Sequence, residues 1–222
     1  MNAPYPFFRK LRGHRLCAVC LSACWLAIPV PAPAQAPDEE AAALSQVRGT
    51  VYVKDISASD GPKNERSCGF DFLVIARDPE AGRAVQLKGR FTVASGGQGA
   101  VYGWSGVVYE GLRPGAAGHS PGRIDLQPVN GMRLAPRPPA GPVSGDTLRY
   151  ETRVDADFQV LLASIVRDHG LKLAFSRQPE GALVETTLDL DVSAMQWQNG
   201  RVTRQFDSGV PAQMGRCWGS GS

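Results

Sequence analysis

The chain has 222 residues, of which 43% are hydrophobic and 20% charged, with a formal net charge of +3 and five cysteines. This composition excludes an intrinsically disordered chain, a collagen-like chain and a small disulfide-dense scaffold. The length allows one or two domains with a sizeable hydrophobic core.

The first 34 residues have the anatomy of a secretory signal peptide. Four basic residues and no acid lie between Met1 and Arg15, an apolar run extends from Leu16 to Val30, and small residues surround Ala34. The run is shorter than the roughly 20 residues that a membrane-spanning helix needs. We therefore predict a signal peptide over residues 1–34 and a periplasmic or secreted protein with no transmembrane span in its mature form.

A second interpretation of the leader depends on Cys24. The sequence from Leu21 to Cys24 resembles the lipobox of bacterial lipoproteins, which would leave Cys24 as a lipid-bearing N-terminus. The apolar run continues past this cysteine to Ile28, where a tethered lipoprotein usually has a polar segment. Lipid anchoring at Cys24 is therefore the minor alternative.

Removal of the leader changes the charge and the cysteine count. The leader contains four of the basic residues and three of the cysteines, so the remainder has 20 basic and 21 acidic residues, a net charge of −1, and only Cys68 and Cys217. A nearly neutral domain has no electrostatic reason to bind nucleic acid. Two cysteines in an exported chain predict one disulfide, which would place the C-terminal tail beside the strand carrying Cys68. Nothing in their spacing indicates a metal ion or a cofactor.

The first half of the mature chain alternates between apolar and polar residues as a sheet does. After an expected flexible segment over residues 35–45, a single β-rich domain is predicted over residues 46–222. Its first four strands are predicted over residues 47–54, 68–76, 85–93 and 101–109. The second half of the 68–76 strand is apolar on both faces, as in the centre of a sheet.

A Pro- and Gly-rich loop is predicted over residues 111–145, with one short edge strand from Ile124 to Val129. Only one acid, Asp125, accompanies its arginines, which are Arg113, Arg123, Arg133 and Arg137. Their charge would suit an anionic partner or a lipid headgroup. A solvated proline-rich loop without a partner is the competing interpretation.

The second half predicts further strands and one helix. Strands are expected over residues 148–154, 171–175 and 184–192, and a hairpin turn at Asn199-Gly200 leads into residues 202–206. A helix near residues 157–169 is predicted from apolar positions three and four residues apart, with Asp155 or Asp157 as its cap and Gly170 as its end. The tail from Gly215 is expected to end in a flexible stretch.

These elements predict a mainly β (α+β) fold, either an antiparallel β-sandwich or a partly closed barrel of about eight or nine strands with one helix. A set of aromatic residues is the most distinctive candidate for ligand binding: Tyr102, Trp104, Trp197 and Trp218. Such side chains could line an apolar groove or stack on sugar rings. As core residues they would need no ligand, and we expect this for at least two of the tryptophans.

No set of residues makes a convincing catalytic site. Residues Gly118 to Gly122 match the spacing G-x-S-x-G, but a nucleophile elbow needs a strand before the serine and a helix after it, and Pro121 favours an extended Ser120. The acidic pairs Asp155/Asp157 and Asp189/Asp191 could bind Ca²⁺ or act as paired catalytic acids, but the alternation of the strands favours solvent-facing residues without a ligand.

The expected function is therefore non-enzymatic binding or assembly in the cell envelope, with an unidentified envelope protein as partner. A lipocalin-like carrier of an apolar ligand, such as a lipid or an isoprenoid, is the alternative. A hydrolase that uses one of the carboxylate pairs is the third hypothesis.

Overall fold

The computed structural model describes residues 47–58, 66–80, 82–96, 99–112, 116–140, 147–198 and 201–219. The strands in these ranges are β1 (Gly49–Ala58), β2 (Arg66–Arg77), β3 (Ala84–Gly96), β4 (Gly99–Tyr109), β5 (Gly118–His119), β6 (Arg123–Pro128), β7 (Leu148–Arg153), β8 (Gly170–Ser176), β9 (Val184–Asp189), β10 (Val192–Gln198) and β11 (Arg201–Phe206). The helices are α1 (Ala156–Arg167) and α2 (Val210–Gly219).

The strands form three open antiparallel sheets. The large sheet has the order β1-β2-β3-β4-β5, with β7 also paired to β4, and the small sheet has the order β6-β8-β9. Strands β10 and β11 form a separate hairpin. The predicted mainly β, sandwich-like fold is thus confirmed, and none of the described sheets closes into a barrel.

The core lies between the two larger sheets and the helices, and aromatic rings fill much of it. Phe91 is fully buried, and its ring centroid lies 5.3 Å from that of Phe70 and 6.5 Å from that of Tyr102. The Phe72 ring covers Gly89, where a Cβ atom would come within 2.2 Å of the ring. Only glycine therefore fits at this position of β3, because a larger residue would displace the ring.

Helix α1 follows the predicted pattern closely. Asp155 caps it by accepting a hydrogen bond from the backbone N–H of Phe158 at 3.0 Å, and the buried side chains Phe158, Leu161 and Ile165 lie one turn apart. The helix ends at Asp168, after which His169 adopts a left-handed backbone with φ of 50°. This is the conformation that commonly terminates helices.

The prediction of a single helix was wrong, because residues 210–219 form α2 rather than the beginning of an irregular tail. The Ser208 hydroxyl accepts a hydrogen bond from the Val210 N–H at 3.2 Å, and Pro211 lies in the first turn, where its missing N–H costs nothing. Val210 and Met214 are fully buried. Two glycines lower the intrinsic helix propensity of the segment, so tertiary packing stabilises a helix that its composition does not favour.

The predicted disulfide is confirmed. Cys68 of β2 and Cys217 of α2 are joined across a separation of 149 residues, with their Cα atoms 6.6 Å apart. The bond places the C-terminal helix against the large sheet, as expected, and core residues come from both sides of the Pro- and Gly-rich loop. Neither described helix is long and apolar enough to cross a membrane.

The predicted strand over residues 184–192 is two strands separated by a turn at residues 190–191. The Asp189 carboxylate accepts a hydrogen bond from the Asp191 N–H at 3.0 Å, which is how aspartate stabilises a local turn. The hairpin that follows is confirmed by the pairing of Gln198 with Arg201, although Asn199 and Gly200 lie outside the described residues.

Candidate functional site

The aromatic candidate Trp104 is a core residue that joins the two larger sheets. Trp104 is 5% exposed, stacks on Tyr150 with a centroid distance of 5.2 Å, and donates its indole N–H to the Ile124 carbonyl at 3.0 Å. The Tyr150 hydroxyl accepts the Ile124 N–H at 3.3 Å. These polar atoms satisfy the backbone at the free edge of β6, so the indole N–H of Trp104 is not available to a ligand.

Tyr102 and Trp218 lie around the N-terminal part of α1. Tyr102 is 1% exposed and its hydroxyl contacts the Asp155 carboxylate at 3.2 Å, while burial raises the pKa of its phenol. Trp218 is half-buried and packs edge-on against Phe158 at 5.5 Å. The backbone of Trp197 belongs to β10, but its side chain lies outside the described residues.

The four arginines of the predicted basic loop have different positions. Arg113 lies outside the described residues, and Arg123 pairs with Asp125 at 2.5 Å. Arg137 contacts both Asp155 and Asp157 at 2.7 Å, and its guanidinium lies 5.4 Å from the Tyr102 ring centroid. These contacts attach residue 137 to the start of α1, so this arginine positions the loop.

Arg133 lies in a groove beside the small sheet, which we call the strap groove. The groove has a volume of about 740 Å³ and lies between the outward face of β6-β8-β9 and residues 131–136, which we call the strap. Its lining side chains include Arg123, Asp125, Gln127, Met132, Arg133, Leu134, Lys172, Leu183, Glu185 and Thr187.

The floor of the strap groove follows from strand alternation. Leu171, Leu173 and Phe175 of β8 point into the core, so Lys172 and Ala174 belong to the opposite face. In the strand register Lys172 is flanked by Gln127 and Thr187, and Ala174 by Asp125 and Glu185. Two cross-strand rows of mixed polar and small side chains therefore form the floor.

The strap is attached to this floor through one amide side chain. Gln127 accepts a hydrogen bond from the Leu134 N–H at 2.7 Å and donates one to the Leu134 carbonyl at 3.3 Å. Paired residues of antiparallel strands form the same two bonds, one to the N–H and one to the carbonyl of a single residue. The amide of Gln127 therefore holds the irregular strap in a defined position. Asn130 also accepts a bond from the Met132 N–H at 3.1 Å.

The groove combines free positive charge with exposed apolar surface. Asp125 is only 8% exposed; burial raises the pKa of its carboxyl, and the neighbouring Arg123 opposes that change. By contrast, Arg133 and Lys172 make no ion pair with any described residue. Met132 and Leu183 are 53% and 42% exposed and are two of the three large hydrophobic side chains exposed in the described ranges.

Local sequence patterns indicate only part of this groove. Arg123 and Arg133 were among the predicted basic residues, whereas Lys172, Met132 and Leu183 were not singled out. Lys172 is an ordinary outward-facing residue of a predicted strand, and only the pairing of β8 with β6 and β9 brings it near the strap. No local signal in the sequence identified it.

The carboxylate pairs are engaged in contacts within the fold. Asp155 and Asp157 share Arg137, and Asp191 contacts His169 at 3.0 Å. Asp155 and Asp157 lie at the start of α1 rather than on a strand face, whereas Asp189 ends β9 and Asp191 lies in the turn that follows. Within the described ranges no three His, Cys, Asp or Glu side chains are grouped closely enough to hold a metal ion.

The remaining polar features are a second pocket and an ionic cluster. A pocket of about 590 Å³ beside α2 contains His169, Asp191 and Arg216. The ionic cluster surrounds Glu110, the residue after β4. Its carboxylate accepts hydrogen bonds from Arg177 at 2.8 Å and from His119 at 2.9 Å. Burial opposes ionisation of Glu110, but these bonds outweigh it and lower the pKa of the carboxyl. The G-x-S-x-G segment begins with the two residues of β5 and leads directly into β6, without the helix that a nucleophile elbow needs after the serine.

Comparison of the chain with protein-family models, with curated protein sequences and with solved structures found no match. The strap groove is the candidate functional site, because it holds two exposed apolar side chains and two cations that form no ion pair within the described part of the chain.

Proposed function

We propose that this protein is an exported, non-enzymatic binding protein of the periplasm or of the extracellular space, and that it binds an envelope partner through the strap groove. The single observation that carries the proposal is that one groove combines Arg133 and Lys172, which pair with no described acid, with exposed Met132 and Leu183. Arg133 and Lys172 are exposed like Met132 and Leu183, and an exposed apolar patch beside exposed cations is a surface that a partner can cover, so their concentration marks an interaction site.

Export is supported by two independent features. The leader has the three regions of a signal peptide, and Cys68 and Cys217 form a disulfide, a bond that persists mainly in oxidising compartments. We expect cleavage after Ala34. Lipid attachment at Cys24 remains the alternative form of export.

The open sheets and the engaged carboxylates favour surface binding over a carrier and over a hydrolase. A lipocalin-like carrier needs a closed barrel with an apolar interior, whereas the described strands form open sheets with aromatic rings packed between them. A hydrolase with a carboxylate pair needs those acids free for chemistry, whereas Asp155, Asp157 and Asp191 each hold a basic side chain.

Site-specific photocrosslinking tests the proposed binding in the cells that produce the protein. A benzophenone amino acid replaces Leu183 in the groove, and in a matched control it replaces Lys88, an exposed residue of β3 outside the groove. We expect a polypeptide adduct at position 183 and none at position 88. A lipid adduct at position 183 would support a carrier instead, and equal labelling at both positions would contradict a groove-specific partner.

Fractionation of the same cells tests export. Intact mass spectrometry of the protein from the periplasm or the medium should give a chain that begins at Gln35. A membrane-bound form with a lipid mass on Cys24 would instead establish the lipoprotein alternative. An uncleaved chain in the cytoplasm would contradict both forms of export.

A further inference from the structure

The strap groove also has features that select the chemical class of its partner. We propose that it binds an extended peptide segment that contains both acidic and apolar residues and belongs to another protein. This inference rests on the proposed function, because it describes the ligand of the same site.

The charges of the groove favour an anionic ligand. Arg123 and Asp125 neutralise each other at 2.5 Å, which leaves Arg133 and Lys172 against the exposed Glu185. Lys172 lies in the middle strand of the floor, and Arg133 lies in the strap on the other wall. A carboxylate between them would meet cations on two sides, and each contact gains strength as water is excluded.

The shape of the groove favours an extended chain. Three strands spaced about 4.8 Å apart make a floor about 10 Å wide, which an extended peptide crosses in about three residues. Met132 and Leu183 provide exposed apolar contacts in the lining. An extended segment that carries both acidic and apolar side chains would therefore meet both kinds of lining residue, and the flexible side chain of Met132 can adjust to different partners.

The polar floor favours a peptide over an acyl chain of a lipid. Thr187 and Glu185 of its cross-strand rows are exposed, and an acyl chain laid over them would remove water without offering hydrogen bonds. A peptide backbone carries one donor and one acceptor per residue and can replace the lost water. For this reason the observations favour a polypeptide.

Selection from a random heptapeptide phage library tests the partner class without knowledge of the natural ligand. The library is selected in parallel on the purified exported chain, on the double variant Arg133→Glu/Lys172→Glu, and on a control with the same change in charge, Lys54→Glu/Lys88→Glu. Both control residues are exposed on the large sheet and do not line the groove. Circular dichroism and thermal unfolding first establish that all three proteins are folded.

We expect peptides rich in Asp or Glu beside Leu or Met on the unaltered chain and on the control. On the groove variant this acidic preference should disappear or reverse toward Lys and Arg. Fluorescence anisotropy with the most enriched peptide should show binding roughly tenfold weaker to the groove variant, because two exposed charge contacts become repulsions.

Selection without acidic enrichment, or the same enrichment on the groove variant, would overturn this inference. A polypeptide crosslink at position 183 would still support the proposed function in that case. Conversely, acidic selection at the groove with no crosslink in cells would leave the peptide preference standing and contradict the proposed function.

The chain's own acidic residues Asp38, Glu39 and Glu40 are a competing occupant of the groove. If the peptide binds only after these three are replaced by their amides, the groove binds its own N-terminal segment and the proposal of a foreign partner is wrong.

Discussion

Trp104 of the aromatic core and Arg133 and Lys172 of the strap groove are all residues of the kind that recognise ligands, but they differ in whether the described fold supplies their partners. In the core, the indole N–H of Trp104 and the hydroxyl of Tyr150 bind the backbone of β6. In the groove, Arg133 and Lys172 make no ion pair with a described residue, and Leu183 remains 42% exposed. Residue type alone therefore does not identify a site; what matters is whether the fold already satisfies the side chain.

The largest expected effect separates the two regions by stability. Phe91→Ala should lower the free energy of unfolding by about 3–5 kcal/mol, because it removes a fully buried ring between Phe70 and Tyr102. Leu183→Ala, in the groove, should change it by less than about 0.5 kcal/mol. Urea denaturation at neutral pH measures both values. A large decrease in the free energy of unfolding of the Leu183 variant would mean that this leucine stabilises the fold and is not available to a partner.

The disulfide should stabilise the folded protein without contributing to the strap groove. Replacing both cysteines, Cys68→Ser/Cys217→Ser, should cost roughly 2–5 kcal/mol, because the bond closes a long loop in the unfolded chain. Guanidinium denaturation of the exported protein provides the measurement. If the variant remains folded, it should still bind a groove-selected peptide, since neither cysteine lines the groove. Loss of peptide binding by a folded variant would contradict the separation of the two regions.

Two arginines of the same loop allow a smaller and more direct comparison. Arg137→Gln should destabilise the protein by about 1 kcal/mol, because it removes contacts with Asp155 and Asp157 that are partly open to solvent. Arg133→Gln should leave stability nearly unchanged and weaken peptide binding. Thermal unfolding measures the stability of both variants, and fluorescence anisotropy measures their peptide binding. Equal effects of the two variants on both measurements would refute it.

The smallest expected effect is a dependence on pH. Because the pKa of Glu110 is lowered from its ordinary 4.5 in the folded state, its contribution to stability is complete above that value and is lost as the pH falls through the lower folded pKa. Glu110→Gln should therefore lose less stability than the unaltered chain between about pH 6 and about pH 3. Urea midpoints at both pH values give the difference. If the variant and the unaltered chain lose the same stability between the two pH values, other carboxylates, such as Asp155, account for the acid sensitivity.

The sequence predicted those parts of the fold that depend on local patterns. Alternating residues located the strands of the large sheet, and Asp155 with the apolar spacing after it located α1. The disulfide followed from counting cysteines outside the leader. Helix α2 was missed because its short segment contains Pro211 and two glycines, and its stability comes from buried Val210 and Met214.

The sequence by itself determined the mainly β composition, the antiparallel hairpins and the cysteine pair, because each depends on residue spacing along the chain. Only the tertiary structure decided which aromatic and basic residues were already satisfied. Trp104 and Arg137 find partners on other elements, whereas a strand pairing and the strap bring Lys172 and Arg133 into one groove, where neither makes an ion pair with a described residue. Such partnerships join residues that are distant in sequence, so no local pattern encodes them.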